Sequence, residues 1–154
     1  MGPVEVTAWT DSSRTTPANV IASQRVLTNY GTAFNEVSGI PVEQLSNHYL
    51  WTWYDMKSPG MKNRVLVHNP TGDAAYYEII IGSNVIGSGT IPANMTVTPW
   101  YPAMMDGPVE VRARKSDIGP VSGEQRKLLA SNVMCSQRVL YDGYFNEVVG
   151  EPVY

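Results

Sequence analysis

Apolar and polar residues alternate along several stretches of the chain. The sequences VEVTA at 4–8 and VEVRA at 109–113 place an apolar residue at every second position. This period of two is typical of a β-strand with one buried face. The sequence VIASQRVL at 20–27 is rich in β-branched side chains and contains neither Gly nor Pro, which also favours a strand.

The central part of the chain continues as short strand candidates separated by turns such as SPGMKN and NPTGD. The candidates recur about every 8–12 residues, a spacing typical of an all-β sandwich. No long segment has a helical period, although GEQRKLLASN at 123–132 is compatible with one or two helical turns. The central candidates are HYLWTWYD (48–55), RVLVH (64–68), AAYYEIIIG (74–82), SNVIGSGTIP (83–92) and MTVTPWYP (95–102).

Part of the chain is a copy of another part. Length differences between the copies fall in polar, Gly-containing stretches, which predicts that the repeated blocks are strands and the gaps are loops. The repeat distance of about 105–113 residues is the size of an immunoglobulin-like domain. Three blocks occur twice in the same order: GPVEV (2–6 and 107–111), SQRVL (23–27 and 136–140) and FNEV (34–37 and 145–148).

The repeat predicts how the chain is organised. Residues 45–106 occur once, whereas their flanks are duplicated. We therefore expect a partial repeat at 1–44, made of the terminal strands of a preceding unit, and a complete unit at 45–154. Such a chain belongs to, or was cut from, a tandem array.

The repeated blocks also carry a resemblance. The string VIASQRVL…FNEV…HYLWTWYD…NPTG…GTIPA…TVTPWYP…GPVEV resembles a repeated module of large secreted or wall-associated bacterial proteins. Members of that family read like ASQRVLYNGSFNEV, with a WYD block, an NP turn and an IPAGG turn before VTP; here IPANMT replaces the glycine-rich turn. The resemblance implies an antiparallel immunoglobulin-like β-sandwich at an extracellular or cell-surface location, and it supplies no active site.

Composition excludes several classes of protein. Apolar residues make up 43% and charged residues 16% of the chain, as in a folded protein with a core. The formal net charge is −3 and no basic run occurs, so we expect no nucleic-acid partner. No apolar run approaches the ~18 residues of a membrane span, and MGPVEVTAWT at the start is not a signal peptide.

Candidate chemistry is sparse. The chain has two histidines, His48 and His68, and no zinc, calcium or nucleophile motif. We therefore expect neither an enzyme nor a bound metal or cofactor. The sequence leaves open whether a calcium ion binds at the surface. The single cysteine, Cys135, stands where the first copy has Ala22. That substitution predicts a small buried residue and excludes an internal disulfide.

Charged residues recur in the copies. Arg25 and Glu36 match Arg138 and Glu147. If the turn between the strands is tight, each Arg lies opposite its Glu. We expect a partly buried, bidentate ion pair in each copy that sets strand register.

Aromatic residues are the best candidates for ligand binding. Trp51 and Trp53 share one face of a predicted strand and Tyr54 the other, and Trp100 lies at a proline-flanked strand end. Exposed rings of this kind stack on sugars. The competing interpretation is a sandwich core, which buried indoles would support.

The partial repeat exposes apolar strand faces unless it packs on something. It can pack on 107–153 within the chain, which we favour slightly, or on a neighbouring molecule to form an oligomer or fibre. The expected function is a non-enzymatic structural module that contacts other repeats or other copies of itself. The alternative is a module that binds cell-wall polysaccharide.

Overall fold

A computed structural model describes residues 4–28, 33–99, 106–115 and 131–153. Across these residues the chain is all-β, as predicted, with one 3₁₀ turn at Val42–Gln44. The helical turns considered at 123–132 fall mainly outside the described residues. The strands are β1 (Ser23–Thr28), β2 (Ala33–Ser38), β3 (His48–Trp51), β4 (Met61–Asn69), β5 (Ala75–Ile81), β6 (Asn84–Ile91), β7 (Met95–Val97), β8 (Val109–Lys115), β9 (Met134–Tyr141), β10 (Tyr144–Val149) and β11 (Glu151–Pro152).

Two antiparallel sheets form a sandwich. One has the order β10-β9-β4-β7 and the other the order β11-β3-β8-β5-β6. Alternate residues of β8 are buried, as the period-two pattern predicts. In β5 the alternation holds up to Glu78, and Ile79, Ile80 and Ile81 are then all buried. Both sheets contribute to one core, which contains Val65, Val67 and Cys135 from the first sheet and Tyr49, Trp51, Tyr77, Ile79, Ile81, Val109 and Val111 from the second.

Cys135 lies in this core. Its side chain is fully buried, as the comparison with Ala22 predicts. Burial raises the pKa of the Cys135 thiol well above its ordinary value. The thiolate, which is the reactive form of cysteine, is therefore disfavoured in the folded chain.

The Asp-Gly pair at 142–143 is a sequence that favours a tight hairpin turn, and it joins β9 to β10. Asp142 has φ 47° and Gly143 has φ 81°. Positive φ at both central residues of a two-residue loop matches the right-handed twist of the flanking strands. The short loop fixes the register, which places Tyr144 opposite Tyr141.

The turn in IPANMT stands where the resembling modules have a glycine-rich turn, and it does not join neighbouring strands of one sheet. Asn94 takes φ 56°, a left-handed conformation that Asn tolerates better than most residues. The turn joins β6 to β7, and these strands lie in different sheets. It therefore carries the chain across the sandwich.

The strand predicted at 4–8 is absent, and that prediction was wrong. The matching residues form β8, which is paired on one side with β3 and on the other with β5. No described strand pairs with Val4 or Val6, and both are exposed, whereas Val109 and Val111 are buried. A strand pattern needs partners to become a strand, and the first copy lacks them here.

The rest of the first copy forms a hairpin beside the sandwich. β1 and β2 make a separate two-stranded sheet. Their register pairs Arg25 with Glu36, as β9 and β10 pair Arg138 with Glu147. β2 lies next to β10, so the two repeated hairpins are in contact within one chain.

Candidate functional site

The hairpin β9–β10 carries a hydrogen-bonded cluster of three side chains. Ser136 Oγ donates to Glu147 Oε1 over 2.7 Å. Arg138 donates from Nε and Nη2 to Glu147 Oε2, at 3.0 and 2.6 Å. Both guanidinium donors converge on one oxygen, and the serine takes the other. The contact is therefore not the fork-to-fork bidentate pair expected from the sequence.

The hairpin β1–β2 repeats the cluster. Ser23 Oγ donates to Glu36 Oε1 at 2.8 Å, and Arg25 donates to Glu36 Oε2 at 3.1 and 2.7 Å. The hydrogen bonds from Arg25, followed by the bond from Ser23, lower the pKa of Glu36. The serine was missed in the sequence, although SQRVL repeats it in both copies.

Burial separates the two clusters. The side chains of Arg138 and Glu147 are 35% and 11% exposed, against 61% and 40% for Arg25 and Glu36. The reason is that β9 also pairs with β4, whereas β1 pairs with β2 alone among the described strands. The ion pair of the second copy is therefore less exposed to solvent than the same ion pair of the first copy.

We expect Arg138→Leu to lower the free energy of unfolding by about 1–3 kcal/mol, because it leaves a poorly exposed carboxylate without its charged donor. Arg25→Leu is the matched control, and its effect should be too small to resolve because the carboxylate it frees is open to water. Urea unfolding of both variants measures the difference. Equal losses in the two copies would contradict the role of burial.

His68 lies in β4 close to this cluster. Its Nδ1 is 2.7 Å from Thr96 Oγ1. Burial lowers the pKa of His68, the charge of Glu147 partly opposes that effect, and the charge of Arg138 adds to it. The neutral imidazole is thus the form that the fold accommodates.

This shift predicts a pH dependence of stability. The unfolded chain has a histidine pKa of about 6.5 and binds the proton more readily than the folded chain, so stability is lost as pH falls below that value. We expect the free energy of unfolding to decline between about pH 7 and pH 5. His68→Gln should flatten this decline, and an unchanged profile in that variant would contradict the assignment.

The two hairpins meet through equivalent residues. Asn35 Nδ2 donates to Asn146 Oδ1 over 2.6 Å, and Asn35 is buried. These asparagines occupy the same place in the two FNEV blocks. A contact between equivalent residues is what two-fold related surfaces make. The hairpins therefore pack with local pseudo-symmetry.

The aromatic residues do not form a shared sugar-binding face. β3 ends at Trp51, so the alternation assumed through Tyr54 breaks. Trp51 and Tyr54 are core residues: Trp51 Nε1 donates to the Val148 carbonyl at 3.3 Å, and Tyr54 Oη donates to the Asn63 carbonyl at 3.2 Å. Trp53 is 45% exposed. Trp100 lies outside the described residues.

The histidines do not form a catalytic pair. His48 lies in β3 of the five-stranded sheet, with Nε2 2.6 Å from Glu110 Oε1, whereas His68 lies in the other sheet. A shallow cleft of about 200 Å³ is lined by residues that include Ile40, Tyr49 and Gly150. Within the parts of the chain that the structure describes, no three His, Cys, Asp or Glu residues gather as metal ligands.

No helix in the described ranges is long and apolar enough to cross a membrane. A scan against protein-family models finds no match, and no curated protein or solved structure is significantly similar to the chain. The resemblance to repeated bacterial surface modules stays a prediction from the sequence.

Proposed function

We propose that the chain is a non-enzymatic structural module of a bacterial surface or secreted repeat protein, and that it acts by packing one repeat against the next. The observation that carries this proposal is the contact between Asn35 and Asn146, which joins equivalent hairpins of two copies. A contact of this kind fixes the orientation of two repeats, and it closes at a pair because each repeat uses the same surface once.

The order of the strands supports an immunoglobulin-like module. β4 and β7 are neighbours in one sheet, as strands B and E are in that fold, and β8, β5 and β6 are neighbours in the other, as F, C and C′ are. The outer places differ. β9 lies beside β4, where strand A would lie, although it follows β8 in the chain, and β3 lies beside β8, where strand G would lie.

The buried asparagine favours a specific contact over general adhesion between the hairpins. An amide hidden from water is costly unless it is hydrogen-bonded, so the pairing of Asn35 with Asn146 penalises other registers. The pairing also lies within one chain and needs no second molecule. The proposal therefore includes a monomeric chain at ordinary concentrations, with self-assembly into fibres as the competing outcome.

Hydrogen exchange and light scattering test this function. We expect amides of β2 and β10 to be protected in the intact chain, and Asn35→Ala to speed exchange in β10 as well as in β2. Asn84→Ala, at the exposed first residue of β6, is the control. Unchanged exchange in β10 of Asn35→Ala would contradict hairpin packing, and mass that rises with concentration would favour assembly between chains.

A second candidate is a polysaccharide-binding module. It rests on the exposed indole of Trp53, because Trp51 and Tyr54 are buried. Titration of soluble cell-wall glycans against tryptophan fluorescence, with Trp53→Ala as control, tests it. A saturable signal that disappears in Trp53→Ala would favour this candidate over a purely structural module.

A further inference from the structure

We propose that the first copy is an uncovered half-module, and that its partner is the centre of a preceding repeat, a segment with the sequence character of residues 45–106. The inference rests on the proposed function. It names the surface involved, which consists of residues 4–8, 20–28 and 33–42, here called the open half. It also names the segment that would cover this surface.

Equivalent residues of the two copies differ sharply in exposure. Val4 and Val6 are 76% and 60% exposed, and their counterparts Val109 and Val111 are 0% exposed. Val20 is 56% exposed, and its counterpart Val133 is 0% exposed. The side chains are identical, so the difference comes entirely from what lies next to them.

The central segment is what covers the second copy. Val109 pairs with Trp51 and Ile81, and Val111 pairs with Tyr49 and Ile79. These partners belong to β3 and β5, which lie within residues 45–106. β9 pairs along its length with β4 of the same segment. No equivalent of β3, β4 or β5 lies against the first copy among the described residues.

The open half already has the backbone needed to accept such a segment. Gly39 N donates to the Ala22 carbonyl at 2.8 Å, just as Gly150 N donates to the Cys135 carbonyl at 3.1 Å. Gly150 lies so close to the indole of Trp51 that it has no room for a Cβ. The three atoms nearest to a Cβ built at Gly39 all belong to Ala22. No indole among the described residues therefore lies against Gly39 as Trp51 lies against Gly150, and a tryptophan equivalent to Trp51 would fit there. β9 uses one of its edges to pair with β4, and no described strand pairs with the equivalent edge of β1.

The preceding repeat is favoured over a second copy of this chain. The central segment is paired with the end copy that follows it, through β8, β9 and β11. In a second chain the central segment would therefore already be paired with the end copy of that chain, and it could not cover the open half. By the same rule of pairing, the open half belongs to a centre that precedes it. Strand addition to an open edge supplies main-chain hydrogen bonds, and the matching apolar face supplies specificity.

A two-centre chain tests the inference. Residues 45–106 are joined ahead of Gly2, which recreates the Asp106–Gly107 junction. Cys135 is replaced by Ala, the residue of the first copy, and a single cysteine is placed by Val6→Cys or Val20→Cys. We expect thiol labelling to slow by about tenfold or more relative to the chain without the added segment, because a buried thiol reacts only after opening.

The matched control carries Asp at the positions of Val65 and Ile79 in the added segment only, so that this segment cannot form a core. Labelling at the same rate with the intact and the disrupted segment would overturn the inference. Labelling that slows with concentration in the chain without the segment would overturn it in favour of a second copy. Should the cysteine variants fail to fold, hydrogen exchange at 4–8 and 20–28 in the otherwise unaltered two-centre chain replaces thiol labelling. Protection of these amides by the added segment would support the inference, and its absence would overturn it.

The two proposals fail separately in this experiment. Unprotected β2 and β10 amides in the chain without the added segment would contradict packing of the hairpins. Unprotected amides at 4–8 in the two-centre chain, with β2 and β10 protected, would contradict only the partner proposed for the open half.

Discussion

Gly150→Ala is expected to lower the free energy of unfolding by about 3 kcal/mol, because the added methyl group overpacks a core that has no free space for it. A Cβ at Gly150 would lie 2.5 Å from Cζ2 and 2.7 Å from Cη2 of Trp51. The indole cannot easily move away, because it is buried and its Nε1 is hydrogen-bonded to the Val148 carbonyl. Strand β10 and the sheet that contains Trp51 would have to separate locally.

Urea unfolding measures this loss, and Gly72→Ala is the control. Nothing lies within 4 Å of a Cβ built at Gly72, so that variant reports the effect of an added methyl group in open space. Gly39→Ala gives a second comparison, since its Cβ would meet only the Ala22 residue, at 3.3 Å from the carbonyl oxygen. A Gly150→Ala variant as stable as Gly72→Ala would show that the approach of Trp51 is looser than described.

Asn69→Ala is expected to cost about 3 kcal/mol, because each buried polar group left without a partner costs about 1–3 kcal/mol. Asn69 is fully buried at the end of β4. Its Nδ2 lies 2.8 Å from the Asp73 carbonyl oxygen and 3.1 Å from those of Ile91 and Pro92. Its Oδ1 accepts from Thr71 N and Oγ1, at 3.2 and 2.7 Å.

The thermal midpoint and urea unfolding of Asn69→Ala measure this cost. Asn84→Ala, at the exposed first residue of β6, is the control and should be nearly neutral. Because Asn69 links the turn after β4 to the end of β6, hydrogen exchange should also rise at both places. A near-neutral Asn69→Ala variant would mean that water replaces the amide.

Much of the fold follows from local pattern. The alternation in VEVRA predicts β8, and the Asp-Gly pair predicts the turn between β9 and β10. The same alternation in VEVTA predicts a strand that is absent, because a strand also needs neighbours on its edges. Period and turn chemistry therefore identify strand candidates, and only the sheet decides which of them form.

The site is less predictable. The repeated Arg and Glu indicate a contact, but the convergence of both Arg donors on one oxygen depends on Ser136, whose role the repeat alone does not reveal. The alternation of Trp51 and Trp53 is compatible with a ligand-binding face or a core, and it does not reveal that β3 ends at Trp51, where the chain leaves the sheet. The meeting of Asn35 and Asn146 depends on how two hairpins approach in space, and no local pattern encodes that.

The burial of Cys135 allows the rate of its chemical modification to report on opening of the folded chain. The sequence holds one sulfhydryl, and the sandwich encloses it completely. A thiol reagent can reach it only when the two sheets part, so the rate of modification counts global openings and ignores fraying of the surface hairpin. Modification of the unaltered protein by a slow reagent would thus report the equilibrium between folded and opened chains, and only a reagent that reacts faster than the sheets reclose would report the lifetime of the folded state.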